Sequence, residues 1–207
     1  MDIDEAAVLL LRHLDASGIT VTERTRGWNH MGALICDAAL QPRTRYRTVV
    51  EPRVRALRAA WPDADTVSRF ADRLRTSDIG TALNWRGPRK LRVIHELTAA
   101  LQHEGVETVS DLRQRLAAED GLLRARLREV RRVGPKTVDY LSILAGSPDH
   151  VAVDVHINGF VLDAGIPSLT YSECVAVVRS AAAMRGWAAG DLDAAIWDHM
   201  SRSPSMA

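Results

Sequence analysis

Apolar side chains recur at i, i+3, i+4 and i+7 along almost the whole 207-residue chain, and no stretch alternates with period two over several residues. That pattern leaves one class of architecture, an all-α fold in which each helix buries one stripe. The stops are as legible as the stripes. Val8-Leu9-Leu10-Leu11 lies in a helix over 3–15 that ends at Ser17-Gly18. A second helix runs from Trp28 to Leu40, with Asn29 as its cap, and breaks at Gln41-Pro42. A third covers 44–61, where Pro52 either kinks it or starts a new segment, and a fourth covers 65–75. A loop with one helical turn fills 76–88. Helices follow over 89–103, 109–116, 122–130, 135–145, 154–164, 171–185 and 190–200, with a connector over 146–153.

The chain is 46% hydrophobic and 26% charged, enough for a sizeable core in one domain or in two small lobes sharing a cleft. No run approaches the ~20 apolar residues of a membrane span. The start, Met1-Asp2-Ile3-Asp4-Glu5, is acidic and lacks the basic region of a signal peptide. Two cysteines, Cys36 and Cys174, cannot supply a disulfide framework, a four-thiolate zinc site or an iron–sulfur cluster. A cytoplasmic protein with no metal is the expectation.

Net charge is +1, which taken alone argues against nucleic acid. The charge is segregated, however: residues 43–136 hold 21 basic and 12 acidic side chains, between a net of −3 before them and −5 after them. Such a middle either presents a basic face to a phosphate backbone or is a set of solvated Arg/Glu helices. Of 27 basic residues only two are lysines, Lys90 and Lys136. Coding bias towards Arg accounts for the rest. A retained Lys then raises the question of what Arg cannot do there. Lys90 reads as a solvated or phosphate-facing helix residue.

Lys136 lies in Val130-Arg131-Arg132-Val133-Gly134-Pro135-Lys136-Thr137-Val138. One helix ends near Val130, Gly134 permits a tight left-handed turn, and Pro135 opens the next helix where its missing N–H costs nothing. The free amides of that start suit a phosphate oxygen. Lys136 at the second helical position opposes the dipole, and the same field with partial burial would lower its amine pKa. Two readings stand side by side: a phosphate contact, or a nucleophilic amine that Arg could not replace. Eighteen positions on, Val151-Ala152-Val153-Asp154-Val155-His156-Ile157 places Asp154 at the start of another helical pattern. Asp154 is either an ordinary N-cap or the carboxylate partner of that amine.

Gly-Pro-Lys-Thr followed by Val-Asp-Val-His at this spacing resembles the helix-hairpin-helix–GPD superfamily of DNA glycosylases, in particular the endonuclease III and 8-oxoguanine glycosylase branches. The likeness is strongest over residues 125–164 and extends over about 28–164. It implies two helical lobes flanking a cleft, within one domain over 1–207. The helix-hairpin-helix motif would occupy about 122–145, and the terminal helices, about 1–27 and 165–200, would complete one lobe. It implies that Lys136 attacks C1′ of a damaged nucleotide and forms a Schiff base, with Asp154 as the essential carboxylate. Arg132, Val133, Gly134 and Thr137 would line the hairpin that grips the strand, together with a monovalent cation. Gln41 falls where relatives place a residue that fills the gap of a flipped base, and Asn84-Trp85 where they carry a wedge loop. Asp139, one turn after Lys136, would orient or pair with it. The helix over Leu192–Met200, with Trp197, resembles the closing helix of relatives lacking a cluster and also reads as core. His156 reads as a structural hydrogen-bonding residue. The implied partner is double-stranded DNA with a damaged base or an abasic site, met by a nucleoid-associated monomer.

Three departures qualify the likeness. Arg132 stands where the family hairpin usually has Gly, the cysteine quartet of endonuclease III is absent, and the acidic C-terminal segment carries no lesion-reading motif. A base-excision glycosylase with AP lyase activity is therefore the leading expectation. Its rivals are a monofunctional glycosylase in which Asp154 activates water, and a non-catalytic hairpin module that recognises DNA structure.

Overall fold

The computed structural model describes residues 1–24 and 26–202. It is all-α, with no strand among the described residues. In chain order the helices are α1 (Ile3–Ala16), α2 (Met31–Leu40), α3 (Glu51–Ala60), α4 (Val67–Thr76), α5 (Ile79–Ala82), α6 (Pro88–His103), α7 (Val109–Ala117), α8 (Leu122–Glu129), α9 (Pro135–Leu144), α10 (Val155–Asp163), α11 (Tyr171–Met184) and α12 (Ala189–Arg202). None of them is long and apolar enough to cross a membrane.

The chain divides into two units. Arg26–Gly146 forms the central unit, and Met1–Thr25 with Ser147–Ala207 forms the terminal unit. The division follows the charge. The central unit carries 22 basic and 14 acidic side chains, a net of +8, and the terminal unit 5 and 12, a net of −7.

In the central unit α2 is the hub, packed by α3, α4, α6 and α9. Every residue from Met31 to Leu40 is buried, as expected for a helix apolar all round. The helix starts at His30, not at Asn29. Long-range bonds set this boundary: the Met31 N–H donates to Asp65 O and the Gly32 N–H to Ala64 O. His30 then caps the helix, its Nδ1 accepting from the Ala33 N–H and its Nε2 bonding to Trp61 O at 2.9 Å. Pro52 marks a new start: a π-helical turn over Tyr46–Val50 gives way to α3, with Pro in its first turn. Gly27 closes the unit against the end of α9. Its φ is +105°, and a Cβ there would meet Leu144 O at 2.1 Å, so no larger residue fits.

In the terminal unit α1 packs on α11, and α12 packs on both α10 and α11. Leu10, Leu14, Ile157, Phe160, Val177, Val178, Leu192 and Ile196 make its core. The cap of α1 is Asp2, paired with Glu5 in a reciprocal capping box.

Candidate functional site

Between α8 and α9 the chain turns in five residues. The Val133 N–H donates to Val130 O at 3.0 Å, closing a four-residue turn. The third residue of that turn, Arg132, has φ +75°, a conformation that normally selects Gly. The left-handed residue is thus Arg132 and not Gly134, which is extended (φ −105°, ψ −176°) and precedes Pro135 at the start of α9. An L side chain in that region costs about 1–2 kcal/mol. The backbone therefore takes the shape that a glycine would give, with an exposed Arg in place. A Cβ on Gly134 would meet nothing within 4 Å. No contact inside the protein demands glycine there, which leaves room for something outside to come close. Val133 and Thr137 are buried on the inner side of the turn. Asp139 is buried on α9 and pairs with Arg124 of α8.

Lys136 follows Pro135 in the first turn of α9, half-buried. Its ammonium donates to Oε1 of Gln41, 95 positions away, and lies 4.7 Å from the centre of the Tyr140 ring. Gln41 ends α2, its own N–H donating to Asp37 O. Two residues singled out separately by the sequence pattern therefore meet.

Beneath them lies a residue that the sequence pattern alone did not single out. Asp37 is 0% exposed. Its Oδ2 accepts from Trp28 Nε1 at 2.8 Å and from the Tyr46 hydroxyl at 3.1 Å, and its Oδ1 accepts from the Tyr140 hydroxyl at 2.9 Å. Burial pushes the Asp37 pKa up, while the three donors and the charge of Lys136 pull it back. Burial and the neighbouring carboxylate push both tyrosine hydroxyls up. The signal was present: Asp37 is the one charge in a helix otherwise apolar on every side, and a charge so placed must be paired.

Lys90 is neither solvated nor turned outward. It is half-buried on α6, and its ammonium donates to Leu40 O, to Pro42 O at 2.8 Å and to Thr44 Oγ1. Both lysines of the chain thus close on the turn that carries Gln41. Trp85 is half-buried beside Lys90, its ring centre 5.1 Å from the ammonium and its Nε1 bonded to Gly87 O. Asn84 is exposed, with φ +46°, and its carbonyl accepts from Arg53 Nε.

Asp154 belongs to the terminal unit. There it is the N-cap of α10, its Oδ1 accepting from the His156 and Ile157 N–H groups at 2.9 and 3.2 Å. The acidic α12 supports the segment leading to it. Buried Asp193 accepts from the Ala152 N–H, and the Gly190 N–H donates to Pro148 O at 2.7 Å. His156 of α10 meets Trp197 of α12 edge-on, ring centres 5.9 Å apart.

Among the described residues no group of three or more His, Cys, Asp or Glu is arranged to hold a metal ion. Cys36 and Cys174 are both free and buried. In the 130–134 turn Val130 O accepts from the Val133 N–H, and Arg132 adds a positive charge beside it.

No curated protein and no solved structure matches the chain. A family model matches residues 17–201, and the chain belongs to that family, the domain of unknown function DUF8548.

Proposed function

We propose that the chain is a base-excision DNA glycosylase with AP lyase activity, its central unit gripping DNA through a helix-hairpin-helix motif made of α8, the 130–134 turn and α9. The observation that carries this reading is the contact between Lys136 and Gln41. The resemblance gives these two residues the nucleophilic amine and the gap filler, and they occupy one place. A resting contact between them also couples two steps: when Gln41 moves into the gap of a flipped base, it releases the amine.

In this reading neutral Lys136 Nζ bonds to C1′ as the bond to the base breaks. The base leaves with the electron pair and takes up a proton. Nζ then loses a proton, the sugar ring opens onto its oxygen, and the resulting imine acts as electron sink. Loss of a C2′ proton expels the 3′ phosphate, and water hydrolyses the imine to restore Lys136. Asp154 has the role that the resemblance assigns, stabilising positive charge on the sugar.

Borohydride trapping on a duplex with an abasic site tests this directly. Wild-type protein is expected to give a covalent adduct and Lys136→Gln none. A wild-type protein that traps nothing sinks the lyase reading. The ring face of Tyr140 under Lys136 suits a resident cation, and this favours the monofunctional rival as a second reading. In that case a lesion panel shows base release without nicking, lost in Asp154→Asn and kept in Lys136→Gln.

A further inference from the structure

We infer that Lys90 is a positioning residue for the Gln41–Lys136 pair, its ammonium filling a three-oxygen cation site formed by the turn at residues 40–44. Each acceptor has a reason to need a donor. Leu40 O is among the last carbonyls of α2, which the helix itself leaves unpaired and which sit at the negative end of its dipole. Pro42 O accepts from Lys90 at 2.8 Å and from the Thr44 hydroxyl at 3.3 Å. The Thr44 hydroxyl donates its hydrogen bond to Pro42 O, so Oγ1 faces Lys90 as an acceptor. Three protons of one compact ammonium meet three oxygens. A planar guanidinium has no such arrangement of donors, which accounts for a Lys in a chain that otherwise writes Arg.

The turn needs the support. Arg43 sits within it at φ +56°, a conformation that costs about 1–2 kcal/mol for an L side chain. The cation also faces Trp85, 5.1 Å from its ring centre, which joins the 84–87 loop to the same point. With the backbone of 40–44 held, the Gln41 side chain is presented to Lys136 from a fixed base.

What the pair acts on rests on the glycosylase reading, whereas the hold on the turn does not, and the experiment separates the two. The Thr44 N–H donates to Gln41 O at 3.1 Å, so its hydrogen exchange reports the turn. In Lys90→Met and in Lys90→Arg it is expected to exchange about tenfold faster than in the wild type, with α6 amides such as that of Leu101 unchanged. Excess methylammonium is expected to restore protection in Lys90→Ala. Wild-type exchange in Lys90→Met overturns the inference. Should Lys90→Met fail to fold, Lys90→Arg decides, since wild-type exchange there means that charge alone suffices. In the trapping assay Lys90→Arg is expected to form adduct about tenfold more slowly, a barrier change of about 1.4 kcal/mol. If the wild type forms no adduct, the glycosylase reading falls and Thr44 exchange still decides Lys90.

Discussion

In the central unit a buried helical carboxylate, Asp37, accepts from three aromatic side chains and lies beneath Lys136. In the terminal unit another, Asp193, accepts from the backbone N–H of Ala152, two residues before Asp154. One organises side chains around a cation; the other fixes the path of the chain. The units differ in charge in the same sense, +8 against −7. The Arg-rich unit holds the residues suited to a phosphate backbone. The acidic unit sets Asp154 at the head of α10.

Removing the two carboxylates is the strongest way to break this comparison. Asp37→Ala strands three donors, the buried Tyr140 hydroxyl and the half-buried Trp28 and Tyr46 groups, and is expected to cost about 3–5 kcal/mol. Asp193→Ala is expected to cost about 1–3 kcal/mol, the penalty of a buried amide left without its acceptor. Urea midpoints of the two variants measure the difference. Equal losses would mean that the two carboxylates play the same part.

The second test separates capping from chemistry at Asp154. Asp154→Ala removes the acceptor for His156 and Ile157 and is expected to destabilise by about 1 kcal/mol, whereas Asn caps about as well as Asp. Asp154→Asn should therefore melt like the wild type and still lose base release. A variant that keeps both stability and activity reduces Asp154 to a cap.

The helices and the turn before Lys136 are legible in the sequence, Asp37 only as a lone charge that must be paired, and Lys90 reads wrongly there, for a physical reason. Helices advertise themselves through a local period, and nearly every boundary falls within a few residues of the pattern. The exception is α2. Its start depends on Asp65 and Ala64 accepting its first amides, a constraint invisible near Asn29. Lys136 stands out because Gly-Pro-Lys carries its own geometry. Asp37 becomes a site only when Trp28, Tyr46 and Tyr140 converge from three places. Lys90 looks solvated because two of its partners are main-chain carbonyls some fifty residues away, and carbonyls leave no mark in side-chain pattern.

A smaller effect contrasts two glycines of the central unit. Gly134→Ala meets open space in an extended conformation and should change stability by less than about 0.5 kcal/mol. Its affinity for abasic duplex should nevertheless fall if a phosphate approaches that backbone. Gly27→Ala runs into Leu144 O and should do the reverse, lowering the melting temperature while leaving the hairpin turn intact. Binding measured by anisotropy at two salt concentrations also reads the phosphate term, since the salt slope flattens as fewer phosphates are neutralised.

The last comparison is a pH dependence confined to Lys90. Burial pulls its ammonium down to about 8, from 10.5. Between those values the unfolded chain holds a proton that the folded chain has shed, so this group makes stability rise with pH. Below about 8 both states are protonated and the cost of burying the charge is present in full. Subtracting the urea midpoints of Lys90→Met from those of the wild type at pH 7.5, 9 and 10 isolates the rise, because all other titrations are shared. The turn should respond in the opposite direction. A neutral amine offers two protons to three oxygens, so Thr44 protection in the wild type, corrected for the intrinsic rate, should weaken across the same window. Stability rising while the turn loosens is a pairing that a merely solvated Lys90 cannot produce. A flat difference between wild type and Lys90→Met would return that lysine to the surface.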